Sequence, residues 1–288
     1  MKIYADWELN LIKNLLDIKY SFLRPIKSKD LFRLGNNMDG GYIVGKDSIE
    51  KIDTLVSFGL GDGSNTENEP WSFEKSLVKI KPNIDIYIFD HTVSSKEYFN
   101  IIAKYLRRFL TFRCNFFELK KRIFFFKKYI KFLGLKNIHF YKKKIVSNEN
   151  KNSKNMSVKY IFNKLSDEKK VILKCDIEGD EYKIIDDILI YKDNINLLII
   201  EFHNLDIKIN EFKNVMKKLL EEYHIVHLHG NNHLGVREDG LPIVLELTLA
   251  NNNTLKDKDN LEYTNSLPLS GLDFPCNPTN EDIDIFFS

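Results

Sequence analysis

Residues 174–182 read KCDIEGDEY and crowd four carboxylates, Asp176, Glu178, Asp180 and Glu181, directly behind the apolar run VIL. Carboxylates packed at the end of a buried strand repel one another unless they are solvated or unless a cation or proton lies among them. A second stretch, EFHN at 201–204, also ends an apolar run, and the two-residue period of a strand puts Glu201 and His203 on one face. HLHG repeats that spacing with His227 and His229. If the strands are neighbours in chain order, Asp176, His203 and His229 converge. Such a mixture suits a divalent cation of the manganese, magnesium, iron or zinc class, and these three are the candidate metal ligands. The same groups suit proton removal from an alcohol or sugar hydroxyl, which stays protonated at neutral pH without a positioned base or a metal. The candidate catalytic residues are therefore His203, Asp176 and Glu178: His203 or a metal-bound group as base, Asp176 as ligand or orienter, Glu178 as substrate contact. Plainer readings stand beside these. Asp180 and Glu181 suit a helix N-terminus, where the macrodipole favours acids, and Lys174 can simply pair with Asp176.

A second set of residues has the chemistry of a nucleotide-like cofactor. SFGLGDGSN places Gly59, Gly61 and Gly63 behind the strand-like TLVSF, where missing Cβ atoms let backbone amides approach a ligand. Asp90 ends the next strand-like run, DIYIFD, in a position to hold the hydroxyls of a ribose, with His91 beside it. The pattern lacks the third glycine of the dinucleotide fingerprint, and Asp90 lies 27 residues past Gly63, against about 20 in that fingerprint. Asp62 inside the turn would oppose a pyrophosphate but not a sulfonium or an ammonium. This favours S-adenosylmethionine over a nicotinamide cofactor. Asp39, Gly40 and Gly41 form either a turn over the cofactor or an ordinary Asp-Gly hairpin turn feeding YIV.

The elements that must position these groups alternate. Strand-length runs at 54–58, 85–90, 138–146, 170–176 and 195–203 are separated by helical patterns, the signature of an α/β sheet. HIVHLHG and LPIVLELTLAN then follow with only a short polar loop between them, so they are antiparallel neighbours. A seven-stranded, mostly parallel, doubly wound sheet with a reversed terminal strand is the expected fold, and its ligands sit beyond the carboxyl ends of the strands.

LVSFGLGDGSN, WSFEKSL, YIFDHTV and LKCDIEGDEYKII, taken in order, resemble the FkbM-type S-adenosylmethionine-dependent methyltransferases. LGNNMDGGYIV resembles the Gly-Gly-Tyr segment ahead of their first strand, and GLDFPCNPTNEDID the ending of some members. The resemblance spans residues 30–280 in patches. It implies a class I, Rossmann-like methyltransferase fold, with Gly59, Gly61 and Gly63 around the cofactor's amino acid moiety, Asp90 on its ribose, and the segment opening at Ser147 near its adenine. The longer stretch SNTENEP departs from the pattern and leaves Asn65, Thr66 and Glu67 without roles. The implied reaction is O-methylation of a saccharide or a nucleotide- or phosphate-linked sugar in surface polysaccharide biosynthesis. Two rivals remain: a nicotinamide-dependent sugar oxidoreductase using the same turn, and a non-catalytic scaffold.

With 288 residues, 43% of them hydrophobic, the chain can bury one core. A single domain over 1–288 is expected, with an N-terminal extension and lid over 1–50. Three scattered cysteines form neither a disulfide framework nor a CxxC zinc site. No apolar run reaches the ~18 residues that span a bilayer, and the start lacks a signal-peptide core, so a cytoplasmic location is expected. The net charge of +2 conceals an asymmetry: residues 96–136 carry 12 Lys/Arg against 2 Glu, or +10, which leaves −8 for the rest. This segment reads as a basic helical insert of one long helix or two, with apolar residues from Ile101 through Tyr105, Phe109, Phe112, Phe116, Leu119, Ile123, Phe126 and Ile130 to Leu133 at spacings of three and four; Phe124, Phe125 and Phe132 fall off that stripe. A solvated extra layer, a homo-oligomer surface, and a peripheral membrane or lipid-linked substrate dock through 101–133 are its three readings. No nucleic-acid-reading motif accompanies the charge.

Overall fold

Strands buried at every position must lie inside a sheet covered on both faces. The runs TLVSF, VILKC and INLLIIEF behave so, becoming β3 (Thr54–Phe58), β8 (Val171–Cys175) and β9 (Ile195–Phe202), all buried along their length. The computed structural model describes residues 16–61, 69–147, 153–166, 168–255 and 261–287. In it these three strands form the middle of a seven-stranded sheet. On one side stand β4 (Asp85–Phe89) and β5 (Ile138–Tyr141); on the other stand β11 (Pro242–Asn251) and then β10 (Tyr223–Val236). The order across the sheet is β10-β11-β9-β8-β3-β4-β5. All neighbouring pairs are parallel except those of β11, which runs against both β10 and β9. The expected sheet with one reversed strand is present. The run at 138–146 divides: its first part is β5, while β6 (Lys144–Val146) leaves the sheet to pair with β7 (Asn155–Ser157).

Two apolar layers flank the sheet. One gathers Val56, Leu173, Leu198, Ile200 and Leu247 against helices α5 (Val158–Phe162), α6 (Ile185–Leu189) and α7 (Ile209–Glu222). Phe212, Val215, Met216 and Leu219 are the buried residues of α7, at the three- and four-residue spacing of a helix face. The other layer gathers Leu55, Ile86, Ile172, Leu197 and Ile199 against α1 (Lys46–Glu50), α2 (Ser72–Ile80) and the hairpin of β1 (Leu31–Leu34) with β2 (Tyr42–Gly45). Thr248 of β11 donates its hydroxyl to the Ile43 carbonyl at 2.7 Å, which fastens this hairpin across the sheet.

The basic insert is two helices, α3 (Ser95–Leu110) and α4 (Phe116–Leu133), with Asn115 capping the second through the Glu118 amide. Its buried face is not the single stripe that the sequence spacing draws. Tyr98, Leu119, Phe125, Tyr129 and Phe132 are buried, whereas Phe112 and Phe116 are exposed. The reason is the break at 111–115, which resets the helical phase, together with Trp71, fully buried against the rings of Phe125, Tyr129 and Phe132. No helix among the described residues is long and apolar enough to cross a membrane.

Candidate active site

Register carries the site. Phe58 pairs with Cys175, and Cys175 with Ile200, so Gly59, Asp176 and Glu201 follow at one level past the strand ends. Glu201 is the cross-strand partner of Glu246, and Glu246 of His229. A transverse row therefore runs His229, Glu246, Glu201, Asp176, Gly59 across five strands. Its two ends come from the glycine turn and from the sheet's far edge.

The glycine turn and the acid loop touch. A Cβ on Gly59, whose φ is +85°, would stand 1.7 Å from the Asp176 carbonyl oxygen, so only glycine fits there. Gly61 also has a positive φ, +88°. Buried Lys174 ties the two loops by donating to the Gly59 carbonyl at 3.0 Å, and its ammonium faces Glu74, fully buried, at 3.6 Å. Burial opposes the charge on Lys174, but Glu74 and then Asp176, Glu201 and Asp39 outweigh it and hold the ammonium's pKa above its ordinary value.

His203 is the centre of the acid loop. Its Nδ1 lies 2.9 Å from Glu181, while its Nε2 faces Glu178, Asp176 and Glu201 at 3.5, 3.8 and 3.9 Å. Glu181 is fully buried and also accepts the amides of Ile177 and Gly179 at 3.2 and 3.0 Å. Burial alone would push the imidazole's pKa down; the hydrogen bond to Glu181 and the charges of Asp176, Glu181 and Glu178 reverse that and raise it to about 9. His203 is thus an imidazolium at neutral pH. Burial raises the Asp176 carboxyl against the pull of Lys174 and His203. Glu201 is pushed well up by burial and by Asp176, Glu246 and Asp39, while accepting from Asn231 at 2.8 Å. Glu178 has a positive φ of 58° and a side chain 86% exposed, so it is the one acid of the loop open to a substrate. Asp180 pairs on the surface with Lys144 and Lys183.

Three groups of described residues bring three ligand atoms within 4.8 Å of one another: Asp176 with Glu201 and His203, Asp39 with Glu201 and Glu246, and His229 with Glu246 and Cys276. His229 does not join Asp176 and His203, because the reversed strand β11 enters between β9 and β10 and interposes Glu246. Asp39 turns inward to this row instead of merely closing a hairpin; burial first, then Glu246 and Asp176, raise its carboxyl to about 6. The Tyr42 hydroxyl beside it is buried without a partner among the described residues, and burial and the same acids raise it well above its ordinary value.

On the cofactor side, Gly59 and Gly61 form the expected turn, while Asp62 and Gly63 lie outside the described residues. Asp90 closes β4 and is buried. Its Oδ2 accepts the Leu60 amide at 2.8 Å, and its Oδ1 accepts the Thr92 amide and hydroxyl and the Val93 amide. Asp90 therefore shapes the glycine turn directly, and one lone pair of Oδ2 is left for a ribose hydroxyl. His91 is exposed, and Ser147, half-buried, follows β6. A glycine turn ending one parallel strand and an acid ending the next fit an adenosyl cofactor carrying a sulfonium. A cavity of 390 Å³ bounded by Ile26, Asp30, Ser48 and Leu261 lies toward the other ends of β10 and β11.

Residues 121–225 match the family model described as the methyltransferase FkbM domain. That stretch is similar to an FkbM methyltransferase domain. The match covers β5, β8, β9, α7, the acid loop and His203, and the order of the sheet is that of the class I methyltransferase fold. Among solved structures the chain resembles a dimethyladenosine transferase from Plasmodium falciparum, at 10% identity and a TM-score of 0.36 over 72% of this chain and 61% of that one. It also resembles a precorrin-6y C5,15-methyltransferase from Geobacter metallireducens GS-15, at 11% identity and a TM-score of 0.31 over 70% and 83%. No curated protein matches the chain. Similarity to the FkbM domain points to S-adenosylmethionine as donor. Glu181 and Glu246 are the members of the site to which sequence spacing assigned no role, Glu181 standing there as an ordinary helix-start acid; Asp39, a candidate for the cofactor turn, groups with Glu201 and Glu246.

Proposed function

We propose that this methyltransferase moves the methyl group of S-adenosylmethionine to a hydroxyl of a saccharide or of its nucleotide- or phosphate-linked precursor. The observation that carries the reading is the contact of Gly59 with the backbone of Asp176, which sets the donor turn and the proton-handling acids at one level of the sheet. When bound, the sulfonium supplies an electrophilic methyl whose C–S bonding pair returns to sulfur, leaving a neutral thioether. The chain's own task is the acceptor proton.

An imidazolium has no lone pair to receive it, so His203 in its charged form is not the base. The base falls to Asp176, whose raised pKa brings it closer to the working pH, where a base is most effective. His203, fixed by Glu181, then neutralises the developing alkoxide, and exposed Glu178 contacts the acceptor. A second reading has a specific observation behind it. Nε2 of His203, Asp176 and Glu201 are spaced as ligands, with Glu181 orienting the ring as a carboxylate behind a metal-bound histidine does. In that reading a divalent cation replaces the proton on Nε2 and polarises the hydroxyl.

Mass spectrometry of sugar nucleotides incubated with enzyme and S-adenosylmethionine tests the reaction by a gain of one methylene. His203→Ala should abolish turnover while calorimetry shows S-adenosylhomocysteine affinity nearly intact; unchanged turnover removes His203 from the chemistry. Loss of turnover with chelator and recovery with added metal selects the cation over the Asp176 base. Binding of NADH in place of S-adenosylhomocysteine would instead favour an oxidoreductase.

A further inference from the structure

At the far end of the transverse row the C-terminal segment folds back onto β10. Asn232 binds it by donating to the carbonyls of Asn277, Asn280 and Glu281 and by accepting the Asn277 amide at 2.7 Å. This return brings Cys276 against two buried strand residues. Its Sγ is 3.8 Å from His229 Nδ1 and 3.5 Å from Glu246 Oε1, and His229 Nδ1 is 3.0 Å from Glu246 Oε2. All three residues are at most 5% exposed.

From these contacts we propose a second metal site, in which His229, Glu246 and Cys276 bind a borderline-soft divalent cation of the zinc class and fasten the C-terminal segment to the sheet. The separations are close to those such an ion sets. Tetrahedral zinc, with bonds of about 2.3 Å to sulfur and about 2.0 Å to nitrogen and oxygen, holds its ligands roughly 3.3–3.6 Å apart, and the three observed separations straddle that range. The other ring nitrogen of His229 lies 3.0 Å from Asp282, so a carboxylate already orients the ring from behind. Asp39 borders the site: its carboxylate groups with Glu201 and Glu246, and its amide donates to the Cys276 carbonyl at 3.2 Å.

Charge points the same way. Glu201, Glu246, Asp273 and Asp282 find only His203, His229 and His227 as ion-pair partners among the described residues, with no lysine or arginine. Binding displaces the thiol proton of Cys276 and the proton shared between His229 and Glu246 to solvent, leaving thiolate, neutral imidazole and carboxylate on the ion.

The site is independent of the acceptor reading, and its test does not use turnover. Full-length protein refolded with zinc and desalted should retain one zinc per chain by elemental analysis. Cobalt substitution should give a near-ultraviolet thiolate-to-metal charge-transfer band. Cys276→Ser should lose that band, and His203→Ala should keep it. The proposal is overturned if folded wild-type protein, reconstituted with cobalt, shows no thiolate band. It is equally overturned if the retained metal disappears in His203→Ala but not in Cys276→Ser. The wild-type spectrum decides even where Cys276→Ser fails to fold.

Discussion

Glu181→Gln isolates the group that fixes His203. The substitution keeps the shape of the side chain and removes one charge. The wild-type carboxylate accepts the amides of Ile177 and Gly179 and meets His203 Nδ1 at 2.9 Å, all without exposure to water. The rise of the imidazole from 6.5 to about 9 corresponds to roughly 3 kcal/mol favouring its charged form, at 1.36 kcal/mol for each pH unit. Glu181 is the largest favourable contributor, and a hydrogen bond to a charged group contributes about 1.5–3 kcal/mol. Glu181→Gln should therefore cost on the order of 2 kcal/mol in metal-free protein at pH 6. The sign follows from linkage: the folded pKa exceeds the unfolded one, so this stability is fully present below pH 6.5 and is lost as pH climbs through about 9. Urea denaturation of both proteins at pH 6 and near pH 10 should show a gap that closes at the higher pH, and proton NMR should show His203 titrating at least one pH unit lower in the variant. A gap of equal size at both pH values, or an unmoved His203 titration, would refute the assignment of His203 as an imidazolium held by Glu181.

Two further substitutions probe the joint between donor turn and acid loop. Gly59→Ala places a methyl 1.7 Å from the Asp176 carbonyl at a positive φ, whereas Gly61→Ala meets only the Pro70 ring at 3.2 Å. The first should cost more than about 3 kcal/mol and the second about 1–2 kcal/mol of strain, and similar urea midpoints for the two would show that the loops do not touch. Lys174→Met strands buried Glu74, bonded otherwise to the Ser57 hydroxyl at 2.7 Å, and should cost about 3–5 kcal/mol. Adding Glu74→Leu should recover most of that; a double variant no more stable than Lys174→Met would argue against their pairing.

The sheet was legible because its strands announce themselves. TLVSF, VILKC and INLLIIEF are too rich in apolar residues for an exposed edge, and the structure buries all three, their few polar residues included. The short polar loop between the last two runs required an antiparallel pair. What spacing could not reveal is that β11 slots between β9 and β10, since a hairpin constrains which strands adjoin each other but not which of them adjoins a third. That one placement separates His229 from His203 and introduces Glu246. Glu181 was hidden for a different reason. Its sequence context is that of a helix-start acid, and only the return of β9 shows that His203 waits for it. The basic insert reads in sequence as one helix or two, and it is two; the single apolar stripe fails because the second helix starts in a new phase after the break at 111–115.

The register also explains why a polar row can persist in so apolar a sheet. Along β9, Leu198, Ile200 and Phe202 belong to one apolar layer, and Leu197 and Ile199 to the other. Glu201 and His203 continue the second series, on the face that the β1–β2 hairpin covers. Slipping β9 by one residue would turn both into the α7 layer and bring Ile200 and Phe202 toward the acids. The burial of all eight β9 residues opposes that slip at every position, so the apolar core, and not the acids' mutual repulsion, fixes where the carboxylates stand. Charges held closer together than their repulsion alone would allow are then available to bind a proton or a cation.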